Sequence, residues 1–157
     1  MLRRTIYILL IIKAALLTAC GGETSLPTSV SMPTSTSSPA GPSLVHGEVV
    51  FDETAQPFSG ATVYVRLEDV SREDAPAQIM AEQILRDVSH TAGSATQLQF
   101  AIEGTIPDER ARYAVRVHVD IDGDGQISGG DYISMESYPV LTYGHPSRVT
   151  VRVQEVR

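Results

Sequence analysis

One segment of the chain concentrates oxygen-bearing side chains at the spacing that a hard cation requires. Gly125 follows the third of its carboxylates and permits a sharp turn. Ca²⁺ takes about six to eight oxygen ligands, and clustered carboxylates repel one another when no cation lies between them. The segment therefore predicts a Ca²⁺ site. Its ligands are Asp120, Asp122, Asp124, Gln126 through its backbone carbonyl, Ser128 through a water, and Asp131.

This spacing resembles the loop of an EF-hand, with two departures. The last ligand position holds Asp131 where glutamate is usual, and the shorter side chain predicts a weak to moderate affinity. The flanking segments alternate like strands and do not have the pattern of helices. We therefore expect a calcium loop between two β-strands. The alternative is a solvated hairpin built on two Asp-Gly turns.

Other reactive side chains form no recognisable site. The four histidines share no metal-ligand spacing, and His118 lies on the polar face of its segment without an obvious acid–base partner. No Gly-x-Ser-x-Gly or Ser-x-x-Lys motif and no glycine-rich phosphate loop occurs. We therefore predict no catalytic residues and no enzyme activity, and a hydrolase is disfavoured for want of a nucleophile. The histidines are His46, His90, His118 and His145.

Apolar and polar residues alternate in the segments that would position the acidic loop. Alternation of this kind, bounded by glycine and proline turns, is typical of half-buried antiparallel strands. Residues 77–85 are ambiguous between a short helix and a strand. We predict an all-β fold, a small antiparallel β-sandwich of about seven strands, immunoglobulin- or transthyretin-like. The alternating segments are residues 45–51, 61–67, 97–103, 113–119, 149–154 and, more weakly, 132–135.

The N-terminal segment carries the signals of export and lipidation. Cys20 is the one cysteine of the chain, and Leu17 and Ala19 precede it at the leucine and small-residue positions of a lipobox. Arg3 and Arg4 come before an apolar run that is shorter than the ~20 residues of a membrane-spanning helix. We predict a lipoprotein signal peptide and an acylated Cys20. The alternatives are an uncleaved anchor and a signal peptide with an incidental cysteine.

The chain then divides into three parts. Residues 1–19 are the predicted signal peptide, and residues 20–43 contain Cys20 and a Ser/Thr/Pro-rich tether. Residues 44–157 form the predicted β-sandwich domain, with the calcium-type loop at residues 120–132. Gly21 follows the cysteine in place of the aspartate that retains lipoproteins at the inner membrane. We therefore expect anchoring on the exported side of a bacterial membrane, and on the periplasmic face of the outer membrane where the host has two.

The predicted domain is acidic. It contains nine arginines, no lysine and eighteen acidic residues, which is a net charge of −9 with histidine neutral. This charge argues against binding to nucleic acid through a basic face.

Four segments of the domain resemble the YbaY/YscW-like lipoprotein family, and they occur in that family's order. The resemblance implies a small β-sandwich that is tethered to a membrane on the exported side. The family's eponymous member is a type III secretion pilotin, a lipoprotein that helps a secretin ring reach the outer membrane. The four segments are residues 60–76 (GATVYVRLEDVSREDAP), 81–83 (AEQ), 112–117 (RYAVRV) and 138–142 (YPVLT).

Two functional hypotheses remain open. In the first, the chain is a non-catalytic, lipid-anchored protein that binds or chaperones another envelope component, as the resemblance implies. In the second, it is a calcium-stabilised structural or adhesive module at the cell surface. A specific partner favours the first hypothesis, whereas calcium-dependent stability without a partner favours the second.

Overall fold

A computed structural model describes residues 43–106 and 108–157. The predicted signal peptide, Cys20 and the predicted tether up to residue 42 lie outside the described residues. Within the described residues there is no helix long and apolar enough to cross a membrane. The strands are β1 (Ser43–Phe51), β2 (Phe58–Asp69), β3 (Gln78–His90), β4 (Gln97–Glu103), β5 (Tyr113–Asp120), β6 (Tyr132–Ser134), β7 (Tyr138–Val140) and β8 (Arg148–Glu155).

The strands form a single sheet, which confirms the all-β prediction. Seven strands follow the order β3-β2-β5-β6-β8-β1-β4, and β7 pairs with β5 beside β6. The sheet curls until its terminal strands, β3 and β4, approach each other, so the small all-β domain has the shape of a nearly closed barrel. Alternation along a strand gives the same period in a sandwich and in a barrel, so the sequence could not distinguish them.

One strand pair departs from the antiparallel arrangement that we expected. β1 pairs with β8 in parallel, with Gly47 opposite Val149 and Val49 opposite Val151. Gly47 allows a close approach here, because a Cβ at this position would lie 1.8 Å from the carbonyl oxygen of Val149. The sheet is therefore mixed, and it has eight strands where about seven were predicted.

The alternation places one side of every long strand in a common core. In β2 and β5 the inward side chains are valine and leucine apart from Ala61 and Tyr113, which suits a pleated surface buried on one face. Removing these side chains from water supplies the main stabilisation of the barrel. The innermost residues include Val45, Val49, Val63, Val65, Val117, Val119, Val140 and Val151, each 0% exposed.

Of residues 77–85, which the sequence left ambiguous, all but Ala77 belong to β3. The period of two prevails because β3 pairs with β2 along its length, from Phe58 opposite His90 to Asp69 opposite Gln78. β7 was not predicted, since it has three residues and Pro139 lies at its centre. Such a short segment carries too little alternation to indicate a strand.

Candidate functional site

The acidic loop, residues 120–131, joins the end of β5 to the start of β6. Asp120 organises its first turn: the amides of Gly123 and Gly125 donate to the two carboxylate oxygens of Asp120 at 2.7 and 3.0 Å. Both glycines have positive φ angles, +79° and +74°, which residues with a Cβ rarely adopt. Asp120 itself is 1% exposed. The turn therefore wraps the backbone around a buried carboxylate.

Three of the predicted ligands converge. Asp120, Asp122 and Asp124 each place a carboxylate oxygen within 4.8 Å of the other two. Asp122 also accepts the amide of Asp124 at 3.1 Å, and Asp124 accepts the amide of Gln126 at 2.7 Å. Asp122 and Asp124 are exposed to solvent. The donor set fits a hard cation, and a cation would reach it from the solvent side.

Gln126 and Ser128 lie in the same turn. Gln126 is exposed, and the Ser128 hydroxyl donates to the second oxygen of Asp122 at 3.4 Å. Ile127 is 54% exposed, so it does not serve as the buried apolar anchor that an EF-hand places at this position.

Asp131 lies apart from the three converging carboxylates. One of its oxygens accepts the amide of Ile121 at 2.9 Å. The other accepts the amide of Ser128 and a hydrogen bond with His118 Nε2, both at 3.0 Å. Asp131 is 1% exposed. In this arrangement it fastens the end of the loop to β5, and it does not close the ligand set.

His118 corrects the expectation that this residue has no acid–base partner. It lies on the outer side of β5, 3% exposed, with its ring stacked on Tyr64 at a centroid distance of 5.7 Å and its Nε2 on Asp131. The sequence did contain a signal that His118 lies near the acidic loop. The period of two puts His118 and Asp120 on the same face of β5, where the loop begins. The pair is buried and joins β5 to the end of the acidic loop.

The pKa of Asp131 is lowered below its ordinary value of 3.8. Burial acts against this shift by disfavouring the charged carboxylate. Hydrogen bonds from the Ile121 amide, the His118 ring and the Ser128 amide outweigh burial, because each stabilises the ionised form. Asp131 is therefore held as a carboxylate by the loop and strand that it joins.

An open groove runs beside β6 and β8. Met135, which is 64% exposed, lies on its wall together with Ile133 and Gln154. Asp52 and Glu155 also line the groove, so it combines apolar and acidic surface. Grooves of this composition are common on protein surfaces and do not by themselves identify a binding site.

The chain matches a model of a known protein family. The model of the type III secretion system lipoprotein chaperone family (YscW) matches residues 41–153 of the chain. This chain belongs to the YscW family. The match extends over all eight strands apart from the last residues of β8, and it includes the acidic loop.

A solved structure supports the same relationship. An alternative pilotin from the type II secretion system of Vibrio cholerae is 26% identical, with a TM-score of 0.55, over 72% of this chain and 96% of that chain. None of the curated proteins compared with the chain matches it. The family membership confirms the resemblance found in the sequence. The family is a chaperone family by name, and the neighbour is a pilotin by name.

Proposed function

We propose that the protein is a non-catalytic, lipid-anchored envelope chaperone of the pilotin type, whose partner is a secretin. The YscW family match over residues 41–153 carries this proposal, because it covers the folded domain and joins lipoprotein and chaperone in one description. The likeness to the pilotin of Vibrio cholerae supports it from a second secretion system.

Lipidation at Cys20 would anchor the chaperone to a membrane. A doubly or triply acylated cysteine anchors a protein stably, because each buried methylene contributes about 0.8 kcal/mol and a single chain is marginal. Gly21 then directs the protein to the outer membrane in a host with two membranes. The predicted tether would let the domain reach a partner at the membrane surface, about 25 Å from its anchor for a flexible coil of this length.

The test is the fate of the host's secretin in cells that lack this protein. We expect the secretin to remain outside the outer membrane or to stay unassembled in the deletion strain, and the full chain to restore its position. The matched control is Cys20→Ser, which keeps the domain and removes the acylated thiol. It should bind the secretin but fail to deliver it. Normal secretin assembly in the deletion strain would refute the pilotin role and leave the calcium-stabilised surface module as the alternative.

We further propose that the acidic loop binds Ca²⁺ through Asp120, Asp122 and Asp124, with Gln126, Ser128 and Asp131 as the remaining predicted ligands. The convergence of three carboxylate oxygens within 4.8 Å supports this proposal. The engagement of both Asp131 oxygens by His118 and two amides argues for a weak site, since coordination by Asp131 must compete with those hydrogen bonds.

Thermal unfolding in Ca²⁺, in Mg²⁺ and in EDTA tests the calcium site. With free Ca²⁺ at about 100 times its Kd, binding should stabilise the fold by about 2.7 kcal/mol. For a domain of this size the Tm should rise by about 10 °C. The double variant Asp120→Asn and Asp124→Asn should abolish the rise. An equal Tm in all three conditions would reduce the loop to an acidic hairpin and leave the pilotin proposal untouched.

A further inference from the structure

The barrel is incompletely closed where its terminal strands meet. β3 forms a ladder with β2 alone, and β4 with β1 alone. In residues 43–106 and 108–157, no main-chain ladder joins β3 to β4. We call this junction the seam and define it as residues 80–85 of β3 with residues 98–103 of β4. Every other junction between neighbouring strands of the sheet has paired backbones.

A side chain bridges the seam. Gln83 of β3 places its Oε1 on the backbone amide of Ala101 in β4, at a distance of 2.7 Å. An amide oxygen on a main-chain N–H is the contact that the carbonyl of a neighbouring strand would make. Gln83 therefore occupies, with its side-chain amide, the place of a peptide carbonyl from a strand that the sheet lacks.

Three apolar residues of the seam are less buried than the centre of the core. Ala81, Leu85 and Leu98 at the seam are half-buried, whereas Phe100 and Ile102 on the same stretch of β4 are buried. The half-buried residues Ala81, Leu85 and Leu98 pack against the core, and we refer to these three residues together as the slit of the seam. A ligand in the slit would meet apolar side chains on its inner side and main-chain hydrogen-bonding groups along its edges.

The edge of β4 lacks the features that usually protect exposed strands. Its sequence, QLQFAIE, contains neither proline nor lysine. The register between β2 and β3 is regular from Val63–Leu85 to Leu67–Ala81, and the irregular pairs lie outside that stretch. The middle of β3 therefore presents a regular edge to β4.

We propose that the seam is the docking site for an extended segment of the partner polypeptide, which pairs with β4 as an added strand and displaces Gln83. This inference rests on the proposed function, since it assigns a place to the partner. A peptide satisfies both features of the seam, because it offers a backbone for the Ala101 edge and alternate side chains for the slit. Its pattern is apolar at every second residue, facing inward, with polar residues between.

The seam must widen to admit this strand between β3 and β4. Paired strands lie about 4.8 Å apart, so a strand with partners on both sides needs about twice that space. β3 can move outward because β2 alone holds it by a ladder. Displacement of Gln83 removes the hydrogen bond that opposes this movement.

Substitutions at one position separate the backbone contact from other effects. Ala101→Pro removes the amide that Gln83 now accepts, and it spares the ladder with β1 because this N–H points toward β3. Ala101→Val keeps the amide and suits a strand. Gln83→Ala removes the side chain that competes with the incoming peptide. Met135→Arg alters the groove beside β6 and β8 and serves as the control at a distance.

The probe is a set of overlapping synthetic peptides that span the host's secretin, tested for binding to the full chain and its variants. For a peptide that binds, we expect Ala101→Pro to weaken it about five- to tenfold and Ala101→Val to stay within about twofold. Gln83→Ala should tighten binding about two- to tenfold, a gain that a merely structural role would not give. Hydrogen exchange should slow at the amides of Gln99 and Ala101 when the peptide binds. Thermal unfolding checks that each variant is folded.

Several results would overturn the proposal. Equal binding by wild type, Ala101→Pro and Gln83→Ala would do so, and so would a loss confined to Met135→Arg, while the chaperone function would stand in both cases. Self-association of the chain that Ala101→Pro abolishes would make a second copy the occupant instead. If no secretin peptide binds the wild-type chain, the docking site is refuted, and the proposed function is judged separately by secretin assembly in the deletion strain.

Discussion

Strands β5 and β4 satisfy their polar groups in opposite ways. β5 lies inside the sheet with β2 on one side and β6 and β7 on the other, and even its outward residues His118 and Asp120 are buried and hydrogen-bonded. β4 lies at the end of the sheet, and its outward-pointing Ala101 amide depends on the side chain of Gln83. The two strands share one alternating pattern of residues. The main-chain groups of β5 are occupied within the sheet, whereas the outer edge of β4 is available to a partner.

The difference indicates how a small barrel can combine stability with binding. Main-chain hydrogen bonds within the sheet stabilise the fold and leave no free N–H or C=O group for a ligand. A terminal strand keeps its hydrogen-bonding groups for a partner, at the risk of pairing with the wrong chain. A glutamine across the seam lowers that risk, because its amide covers the edge and can leave it again.

The largest expected effect compares two leucines. Leu67 on β2 is 1% exposed, whereas Leu98 at the seam is half-buried. Leu67→Ala should lower the free energy of unfolding by about 2–5 kcal/mol, since it leaves a cavity in a packed core. Leu98→Ala should cost about 1 kcal/mol, because less apolar surface is lost from a site that can relax.

Urea unfolding of both leucine variants measures the contrast. Equal losses of stability would mean that the seam is as tightly packed as the rest of the barrel, and the slit proposed there would then be closed to a peptide.

The next effect concerns the buried attachment of the loop. Asp131→Ala removes the acceptor for the amides of Ile121 and Ser128 and the partner of His118. Leaving buried polar groups unpaired should lower the free energy of unfolding by about 2–3 kcal/mol in EDTA. The matched control is Asp124→Asn, an exposed residue of the same loop, which should change it by less than about 0.5 kcal/mol. If Asp131→Ala lowers the free energy of unfolding no more than the control does, the attachment of the loop to β5 contributes little to stability.

A smaller effect should appear as a dependence on pH. The pKa of Asp131 is lowered from 3.8 in the folded state, so the unfolded chain binds its proton more readily. The carboxylate therefore adds stability above pH 3.8, and this contribution is lost as the pH falls through the folded-state pKa. In EDTA, the difference in unfolding free energy between wild type and Asp131→Asn should shrink on acidification over that range.

Two other carboxyl groups provide the background for this measurement. The pKa of Asp52 is lowered by the Thr54 amide, and that of Asp69 by the Ser71 hydroxyl. Both are present in wild type and variant, so their contributions cancel in the difference. A difference that does not change with pH would mean that Asp131 contributes through its shape and not its charge.

The sequence predicted the strands better than their arrangement. Alternation in residues 61–67 and 113–119 marks each buried face, because the period of two is a local property of an extended backbone. The parallel pairing of β1 with β8 joins residues about a hundred positions apart, such as Gly47 and Val149, and no local pattern encodes it. The choice between a sandwich and a nearly closed barrel depends on the same long-range pairings.

The candidate sites show the same division. The spacing of Asp120, Asp122 and Asp124 is a local feature, and the structure brings these three carboxylates together. The contact of Asp131 with His118 depends on β6 returning alongside β5, so the sequence treated Asp131 as one more ligand. The seam could not be predicted from the sequence. Whether a strand edge is unpaired depends on the order of strands in the sheet, and local alternation does not encode that order.

The smallest expected effect tests the seam without any ligand. In Gln83→Ala, the amide of Ala101 loses its acceptor and should exchange with solvent faster. The amide of Phe100 should keep its rate, since it points to the other side of β4, toward β1. The loss of global stability should stay near about 1 kcal/mol, the net value of one hydrogen bond.

Gln99→Ala is the matched control for that measurement. It removes the same kind of side chain, but from β4 itself. The side-chain amide of Gln99 donates to Glu48 on β1 and does not cross the seam. Faster exchange at Ala101 in both variants would point to general loosening of β4. Faster exchange in Gln83→Ala alone would identify Gln83 as the group that covers the edge of β4. The seam would then be held by one side chain, whereas every other junction of the barrel is held by backbone hydrogen bonds.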